Sequence, residues 1–205
     1  MKKMIIVRHG QSEHNLLGIV GGWGDYSLTE IGKKQATLTG QYLKKILNNQ
    51  ECAIYCSDLR RTQQTAQIIC DILGSNYSCV EGLRELSNGD ANGLTKDEAR
   101  KIRNHWSEGN ALEHIHYPNG ESWRMMNIRI CECMEKINSY EAETVIVITH
   151  ANSTIAIINW WLGIKEDDLI EKIMYKMDPS SITVLSVDSD KCKSIIKLND
   201  TSHLI

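Results

Sequence analysis

The sequence predicts an α/β fold: a three-layer sandwich in which a mostly parallel central sheet carries helices on both faces. Three short apolar runs, residues 4–7, 52–56 and 144–149, have the length and residue bias of buried strands. Each run leads through a polar turn into a segment whose apolar residues recur at helical spacing. This alternation of strand and helix is typical of a parallel sheet with helical crossovers.

The chain has 205 residues, of which 41% are hydrophobic, so it is long enough to bury a sizeable core. It shows no internal repeat and no linker rich in Pro, Gly or Ser. We therefore predict one domain over residues 1–205, with a small lid inserted at about residues 85–120.

The first long helix is predicted after Thr29, because threonine is a favoured N-cap residue. The Asn48-Asn49 pair can end it. A second helix over residues 59–73 stops before Gly74. Apolar residues recur at helical spacing in the first helix: Leu38, Tyr42 and Ile46.

A third helix is predicted over residues 95–106, since Thr95 and Glu98 have capping-box spacing. From Ser107 to Gly120 the pattern breaks down into Gly, Asn and His, which indicates a loop or lid. Residues 121–140 form a long amphipathic helix with one apolar face. That face consists of Met126, Ile130, Met134 and Ile137.

The last part of the sheet is predicted from the C-terminal third of the chain. A helix begins after His150 and continues through residues 155–162. Residues 182–187 and 194–198 have the character of late strands at a sheet edge.

Composition excludes several classes of function. The net charge is −3, with 23 basic residues among 26 acidic ones, so no global field attracts nucleic acid or an anionic membrane. The apolar run at residues 4–7 is too short for a secretory signal, and no run reaches the length of a membrane span. Seven cysteines without metal-site spacing are interpreted as buried free thiols. We therefore expect a cytoplasmic protein.

Polar residues follow all three predicted strands at the point where each strand ends. These are residues 8–12 (RHGQS), 57–61 (SDLRR) and 150–153 (HANS). Because the carboxyl ends of parallel strands meet at one edge of the sheet, two histidines and several arginines are expected to converge there. Guanidinium groups bind phosphoryl oxygens in pairs, and neighbouring cations should lower the pKa of a histidine. The pattern predicts an anion site with a neutral, nucleophilic imidazole.

The same residues resemble a known family. Residues 8–15 (RHGQSEHN) resemble the RHG signature of the histidine phosphatase superfamily, which includes phosphoglycerate mutases and many small-molecule phosphatases. Residues 22–32, 57–66 and 149–153 are similar to its later motifs and stand in the expected order. The resemblance extends from residue 4 to about residue 162.

The resemblance implies a role for each matching residue. His9 would be the phosphorylated nucleophile, and Glu85, in a segment similar to the one that supplies the general acid, would be the proton donor. The residues that would hold the phosphoryl group or the substrate are Arg8, Asn15, Gly22, Arg61, His150, Ala151 and Asn152.

The chain departs from the family pattern at two positions, and neither removes a catalytic group. Ala151 stands where the family commonly has glycine, and Asp58 replaces a frequent proline. Arg60 occupies a variable position and should point away from the site. His114 and His116 lack the carboxylate or cysteine partners of a metal site. Glu121 is expected to cap the helix that follows it, and a role on the substrate side is left open.

The resemblance implies a metal-independent phosphatase that needs no cofactor and acts on a small-molecule phosphate ester. The main alternative is a phosphoglycerate mutase dependent on 2,3-bisphosphoglycerate, and a catalytically inactive phosphate-binding module is a remote one. Lys96 matches a mutase lysine, but Asn88 stands where mutases have tyrosine, and residues 107–120 contain no Lys or Arg. A homodimer is left open.

Overall fold

The computed structural model describes residues 1–106, 108–140 and 142–205. A six-stranded sheet has the order β3-β2-β4-β1-β5-β6. Its strands are β1 (Lys3–Arg8), β2 (Ala53–Cys56), β3 (Ser78–Cys79), β4 (Thr144–Thr149), β5 (Ile182–Val187) and β6 (Lys193–Asp200). The helices are α1 (Glu13–Leu17), α2 (Glu30–Leu47), α3 (Arg60–Leu73), α4 (Lys96–Lys101), α5 (Trp123–Asn138), α6 (Ala151–Leu162) and α7 (Asp167–Lys172).

The mostly parallel sheet is confirmed. Strands β1 to β4 run parallel to one another, while β5 pairs antiparallel with both β1 and β6. Strand β1 lies beside β4 in a register that pairs Arg8 with Thr149. His9 and His150 therefore leave two neighbouring strands at the same level of the sheet.

Helices cover both faces of the sheet, as predicted. Helices α2 and α3 pack their apolar residues on one face, against Ile5, Val7 and Ile146. Helices α5 and α6 cover the other face, where Ile6 and Val147 are buried. The four α5 residues predicted to face the core are all buried there: Met126, Ile130, Met134 and Ile137.

The buried face of α2 is marked by small residues more than by the apolar spacing that predicts the helix. Leu38, Tyr42 and Ile46 lie half-buried on its flank, and the buried side carries small residues and the leucines one position further on. The reason is close packing against α3: a Cβ added at Gly40 would lie 2.8 Å from the Ile72 Cδ1 atom. Small residues let the two helices approach, so the larger side chains are displaced to the side.

The third predicted helix is shorter than expected, since α4 ends at Lys101 instead of continuing to Trp106. Beyond it, the Asn104 backbone N–H and side chain donate to the carbonyls of His116 and Ile115. The chain turns to make these bonds. The predicted lid contains the 3-10 turns Gly89–Ala91 and Ala111–Glu113, and Ser107 lies outside the described residues.

The remaining expectations are partly met. All seven cysteines are free, but Cys79 and Cys192 are exposed, so the expectation of buried thiols is wrong for these two. Cys79 ends the short edge strand β3, and Cys192 lies in the turn before β6. None of the described helices combines the length and the apolar character that a bilayer crossing needs.

The loop after β1 packs directly on the first turn of α2. A Cβ added at Gly10 would lie 2.5 Å from the Gly32 carbonyl oxygen, and one at Gly32 would lie 2.9 Å from the Gln11 carbonyl carbon. Both neighbours are backbone atoms, which cannot move aside as a side chain can. This contact fixes the position of the loop that follows His9.

We predict that Gly32→Ala destabilises the protein by about 1–3 kcal/mol through overpacking, although alanine is the better helix former. Urea unfolding measures the change in free energy. Lys34→Ala, at an exposed position of the same helix, is the control and should stay within about 0.5 kcal/mol of the wild type. Equal stability of Gly32→Ala and the wild type would contradict this account.

Candidate active site

The ends of β1, β2 and β4 bring two histidines and two arginines to one buried place. The rings of His9 and His150 have centroids 5.2 Å apart in an edge-to-face arrangement. The Arg61 Nε donates to His9 Nε2 at 3.3 Å. Arg61 comes from the first turn of α3, which follows β2. The convergence that the sequence predicts is thus present in the fold.

The proton of the His9 ring is placed by its neighbour. His9 Nδ1 lies 2.7 Å from the Gly10 carbonyl oxygen, which can only accept a hydrogen bond. Nδ1 must therefore carry the proton in the neutral ring, and Nε2 presents a lone pair. That lone pair faces Arg61.

Burial is the first cause of the low pKa of His9, which lies well below the usual value of 6.5, and the Arg61 and Arg8 guanidiniums lower it further. The sequence predicts this direction from the arginines alone. Removal of the ring from water acts in addition, because burial penalises the charged form of an imidazole.

Arg61 is a buried cation whose residue is only 1% exposed. Its Nη1 and Nη2 atoms donate to the carbonyls of Gly24 and Gly22 at 2.8 and 2.7 Å. Burial lowers its pKa to about 10, with the Glu85 carboxylate opposing this shift. Gly22, which the resemblance assigns to the phosphate, contacts Arg61 here. Its carbonyl sets the direction of the guanidinium.

Arg8 is held by the segment that precedes β5. Its Nη1 donates to the Met177 carbonyl, and its buried Nε has no hydrogen-bond partner among the described residues. Burial lowers the pKa of Arg8, and the carboxylates of Glu85 and Asp178 oppose this shift. One guanidinium donor is thus unused beside His9.

His150 offers a second unused polar atom. Its Nε2 lies 3.0 Å from the Ser57 Oγ, while the buried Nδ1 has no partner in the part of the chain that the structure describes. Burial first, and then Arg61, hold the pKa of His150 well below 6.5. Ser57 belongs to one of the motifs, but the sequence alone predicts no contact between it and His150.

Glu85 lies next to this cluster. Its carboxylate accepts the backbone N–H of Leu86 at 2.8 Å and that of Asn152, in the first turn of α6, at 3.3 Å. Ala151, the first residue of α6, precedes Asn152. The start of α6 therefore lies between the proposed acid and His150.

Asn15 is not brought into contact with this cluster. It is exposed, and its side chain accepts from the Ser12 backbone N–H and lies 3.0 Å from His14 Nε2. Its role as a phosphate ligand stays a prediction.

His14 is a neighbour of His9 that the sequence does not predict: its ring centroid lies 6.0 Å from that of His9. Burial, Arg61 and Arg8 lower the pKa of His14 to about 4.

Arg60 and Asp58 lie at the margin of the site. The Arg60 guanidinium is on the surface and pairs with Asp25 at 3.1 Å. Asp58 binds Arg84 through two hydrogen bonds of 2.8 and 2.6 Å. The aspartate found in place of the frequent proline thus provides a partner for the residue that precedes Glu85.

A cavity of about 650 Å³ lies beside the predicted lid. Arg100, Arg103 and His116 contribute to its lining, as do Trp106 and Trp123. Arg100 and Arg103 come from α4 and the turn after it, outside residues 107–120, which contain no Lys or Arg. Among the described residues, no three His, Cys, Asp or Glu side chains come together as holding a metal ion requires.

Comparisons with known proteins agree with this arrangement. Residues 4–201 match the model of the histidine phosphatase superfamily (branch 1). A 2,3-bisphosphoglycerate-dependent phosphoglycerate mutase of Bartonella tribocorum is 33% identical over 88% of this chain and 94% of its own. A Hydrogenobacter thermophilus protein with the provisional name phosphoserine phosphatase 2 is 32% identical over 99% and 98%. The structure of Bacillus stearothermophilus YhfR is 26% identical over the full length of both chains, with a TM-score of 0.83.

We predict that His150 makes stability depend on pH. Its folded-state pKa is depressed, so below about pH 6.5 the unfolded chain takes up a proton that the folded chain does not. The free energy of unfolding then falls with falling pH, and a site of this kind contributes a slope approaching about 1.4 kcal/mol per pH unit. His150→Gln should remove that contribution in urea unfolding series.

The matched control is His105→Gln, at a histidine exposed to solvent, which should leave the slope unchanged. The comparison uses the slope rather than the absolute stability, so a general loss of stability in His150→Gln does not disturb it. An identical slope in His150→Gln and wild type would argue against a buried neutral His150.

Proposed function

Because the chain belongs to the histidine phosphatase superfamily, we propose that it is a cytoplasmic phosphatase that hydrolyses a small-molecule phosphate monoester through a phosphohistidine at His9. One observation carries this proposal. Two buried polar atoms without a partner among the described residues, Arg8 Nε and His150 Nδ1, belong to the side chains around the His9 ring. Buried polar groups are normally paired, so a ligand oxygen is the expected partner.

In the first step, the lone pair of His9 Nε2 attacks phosphorus. A phosphorus–nitrogen bond forms while the bond from phosphorus to the leaving oxygen breaks, and the carboxyl proton of Glu85 goes to that oxygen. The guanidiniums of Arg8 and Arg61 offset the charge on the phosphoryl oxygens. His150 donates to a phosphoryl oxygen from Nδ1 in the tautomer that carries its proton there.

In the second step, water takes the place of the leaving alcohol. The Glu85 carboxylate removes a proton from water, the water oxygen bonds to phosphorus, and the phosphorus–nitrogen bond breaks. Inorganic phosphate leaves, and His9 regains its lone pair. The positive charge that phosphoryl transfer needs is supplied by the two arginines, so no metal ion is part of this proposal.

A phosphoglycerate mutase is the second candidate, and the relative from Bartonella tribocorum, which carries that name, favours it. A mutase must retain an acidic intermediate, which takes cations, and Arg100 and Arg103 are cations of the predicted lid. Arg100 is already ion-paired with Asp97 at 2.6 Å. Arg103 has no carboxylate partner in the described residues and lies 3.3 Å from His116 Nδ1. A guanidinium without a carboxylate partner, that of Arg103, is a weak means of holding an acidic intermediate. This favours release of the intermediate, and therefore hydrolysis.

We predict that His9 becomes phosphorylated during turnover of a phosphate monoester. The label should be acid-labile and base-stable, as a phosphoramidate is, and should be absent from His9→Ala. Rapid quench with a 32P-labelled ester measures it. Retention of the label in His9→Ala would place the nucleophile elsewhere, and a panel of esters that gave no phosphate release would refute the proposed activity.

We also predict that release of inorganic phosphate is faster than interconversion of 2- and 3-phosphoglycerate, even with 2,3-bisphosphoglycerate present. The reason is that the predicted lid offers few cations for a released acid: residues 107–120 contain no Lys or Arg, and Arg100 is already paired with Asp97. A coupled assay for interconversion, run beside phosphate release on the same sample, measures the ratio of the two rates. A clearly higher interconversion rate would establish the mutase instead.

A further inference from the structure

Glu85 lies on a segment that belongs to no strand, yet all four carbonyls from Gly82 to Glu85 have partners. Side chains supply each of them. The Thr149 hydroxyl donates to the Leu83 carbonyl at 2.7 Å, and the Ser153 hydroxyl donates to that of Arg84 at 2.7 Å. The side chains thus do for this segment what a neighbouring strand does elsewhere in a sheet.

Arg129 of α5 is the residue that contacts most of this segment. Its Nη1 donates to the carbonyls of Gly82 and Arg84 at 2.9 and 3.0 Å. Its Nη2 donates to the Glu85 carbonyl at 3.2 Å. One guanidinium therefore holds three carbonyls of the four, including that of the proposed general acid itself.

Glu121 holds Arg129 in this position. The two side chains form a bidentate pair, with Nε–Oε1 and Nη2–Oε2 distances of 2.8 Å. The Glu121 side chain is 12% exposed and the Arg129 side chain is 19% exposed, so solvent screens the attraction between their charges little. Glu121 also accepts the Ser87 backbone N–H at 2.9 Å. Its predicted capping role is wrong, because Ser122 caps α5.

Trp23 completes the support from the opposite direction. Its Nε1 donates to the Glu85 carbonyl at 2.6 Å. The Arg84 and Arg129 guanidiniums lie 4.8 and 5.6 Å from the centre of its ring, within the range of a cation–π contact. The Glu85 carbonyl is thus fixed by donors from two parts of the chain.

We propose that Arg129 is a positioning residue, which acts through the main chain of Glu85 to place its carboxyl group at the leaving oxygen. This inference rests on the proposed function, in which Glu85 protonates that oxygen. Arg129 does not touch the phosphoryl group. Its loss should therefore affect proton donation and leave attack by His9 intact.

The test uses two esters that differ in their need for a proton. An alkyl phosphate has a poor leaving group and requires the acid, whereas p-nitrophenyl phosphate has a good one and does not. A lysine at 129 keeps the charge but cannot reach three carbonyls and Glu121 together. In Arg129→Lys we expect kcat/KM for the alkyl ester to fall about 10–100-fold more than for the aryl ester.

The ratio of the two rates is independent of the fraction of enzyme that is folded, so a merely structural role would leave it unchanged. Arg124→Lys is the matched control on the same helix. Its guanidinium pairs with Glu113 and Asp167 and makes no hydrogen bond to residues 82–85 in the described chain. This variant should keep the wild-type ratio.

Two further variants complete the design. Glu121→Gln should shift the ratio of the alkyl-ester rate to the aryl-ester rate in the same direction by a smaller factor. It takes the place of Arg129→Lys in the test if that variant does not fold. In a Glu85→Gln background, Arg129→Lys should change the ratio little, since the acid is already absent. Equal losses on both esters in Arg129→Lys and Glu121→Gln would overturn the proposal. A wild-type enzyme that released no phosphate from either ester would refute the proposed function instead.

Discussion

The burial of the Arg61 guanidinium is the constraint on which the rest of this site depends. A buried cation is costly unless its donors are paired, and no carboxylate bonds to Arg61 among the described residues. The chain supplies two backbone carbonyls and the lone pair of His9 instead. These weak partners leave positive charge uncompensated at the place where three strands end. An anion that entered would complete the arrangement.

The guanidiniums also act on the three histidines of the site. Burial is the first cause that lowers the pKa of His9, His14 and His150, and the charges of Arg61 and Arg8 lower it further. All three rings are therefore kept neutral. A neutral ring costs less to bury and also retains the lone pair that a nucleophile requires. Burial and reactivity thus favour the same protonation state.

Local patterns account for what the sequence predicts well. Strands β1, β2 and β4 are short apolar runs. His9 and His150 follow such runs directly and Arg61 follows in the first turn of the next helix, so their convergence needs only the rule that parallel strands end at one edge. Apolar spacing does not mark the buried face of α2, because small residues form its contact with α3. Arg129 lies 44 residues from Glu85, and no periodicity connects them. Contacts of that kind appear only in the folded chain.

The position of β1 in the middle of the sheet has a consequence for synthesis on the ribosome. Both neighbours of β1, strands β4 and β5, emerge more than 130 residues later, and the carbonyl that holds Arg8 belongs to Met177, 169 residues away. At translation rates of 5–20 residues per second, this delay is on the order of 10–30 s. During that interval the apolar strand has neither neighbour of its sheet, and Arg8 lacks the carbonyl that holds it. The nascent chain therefore carries its first strand without either sheet neighbour for most of its synthesis.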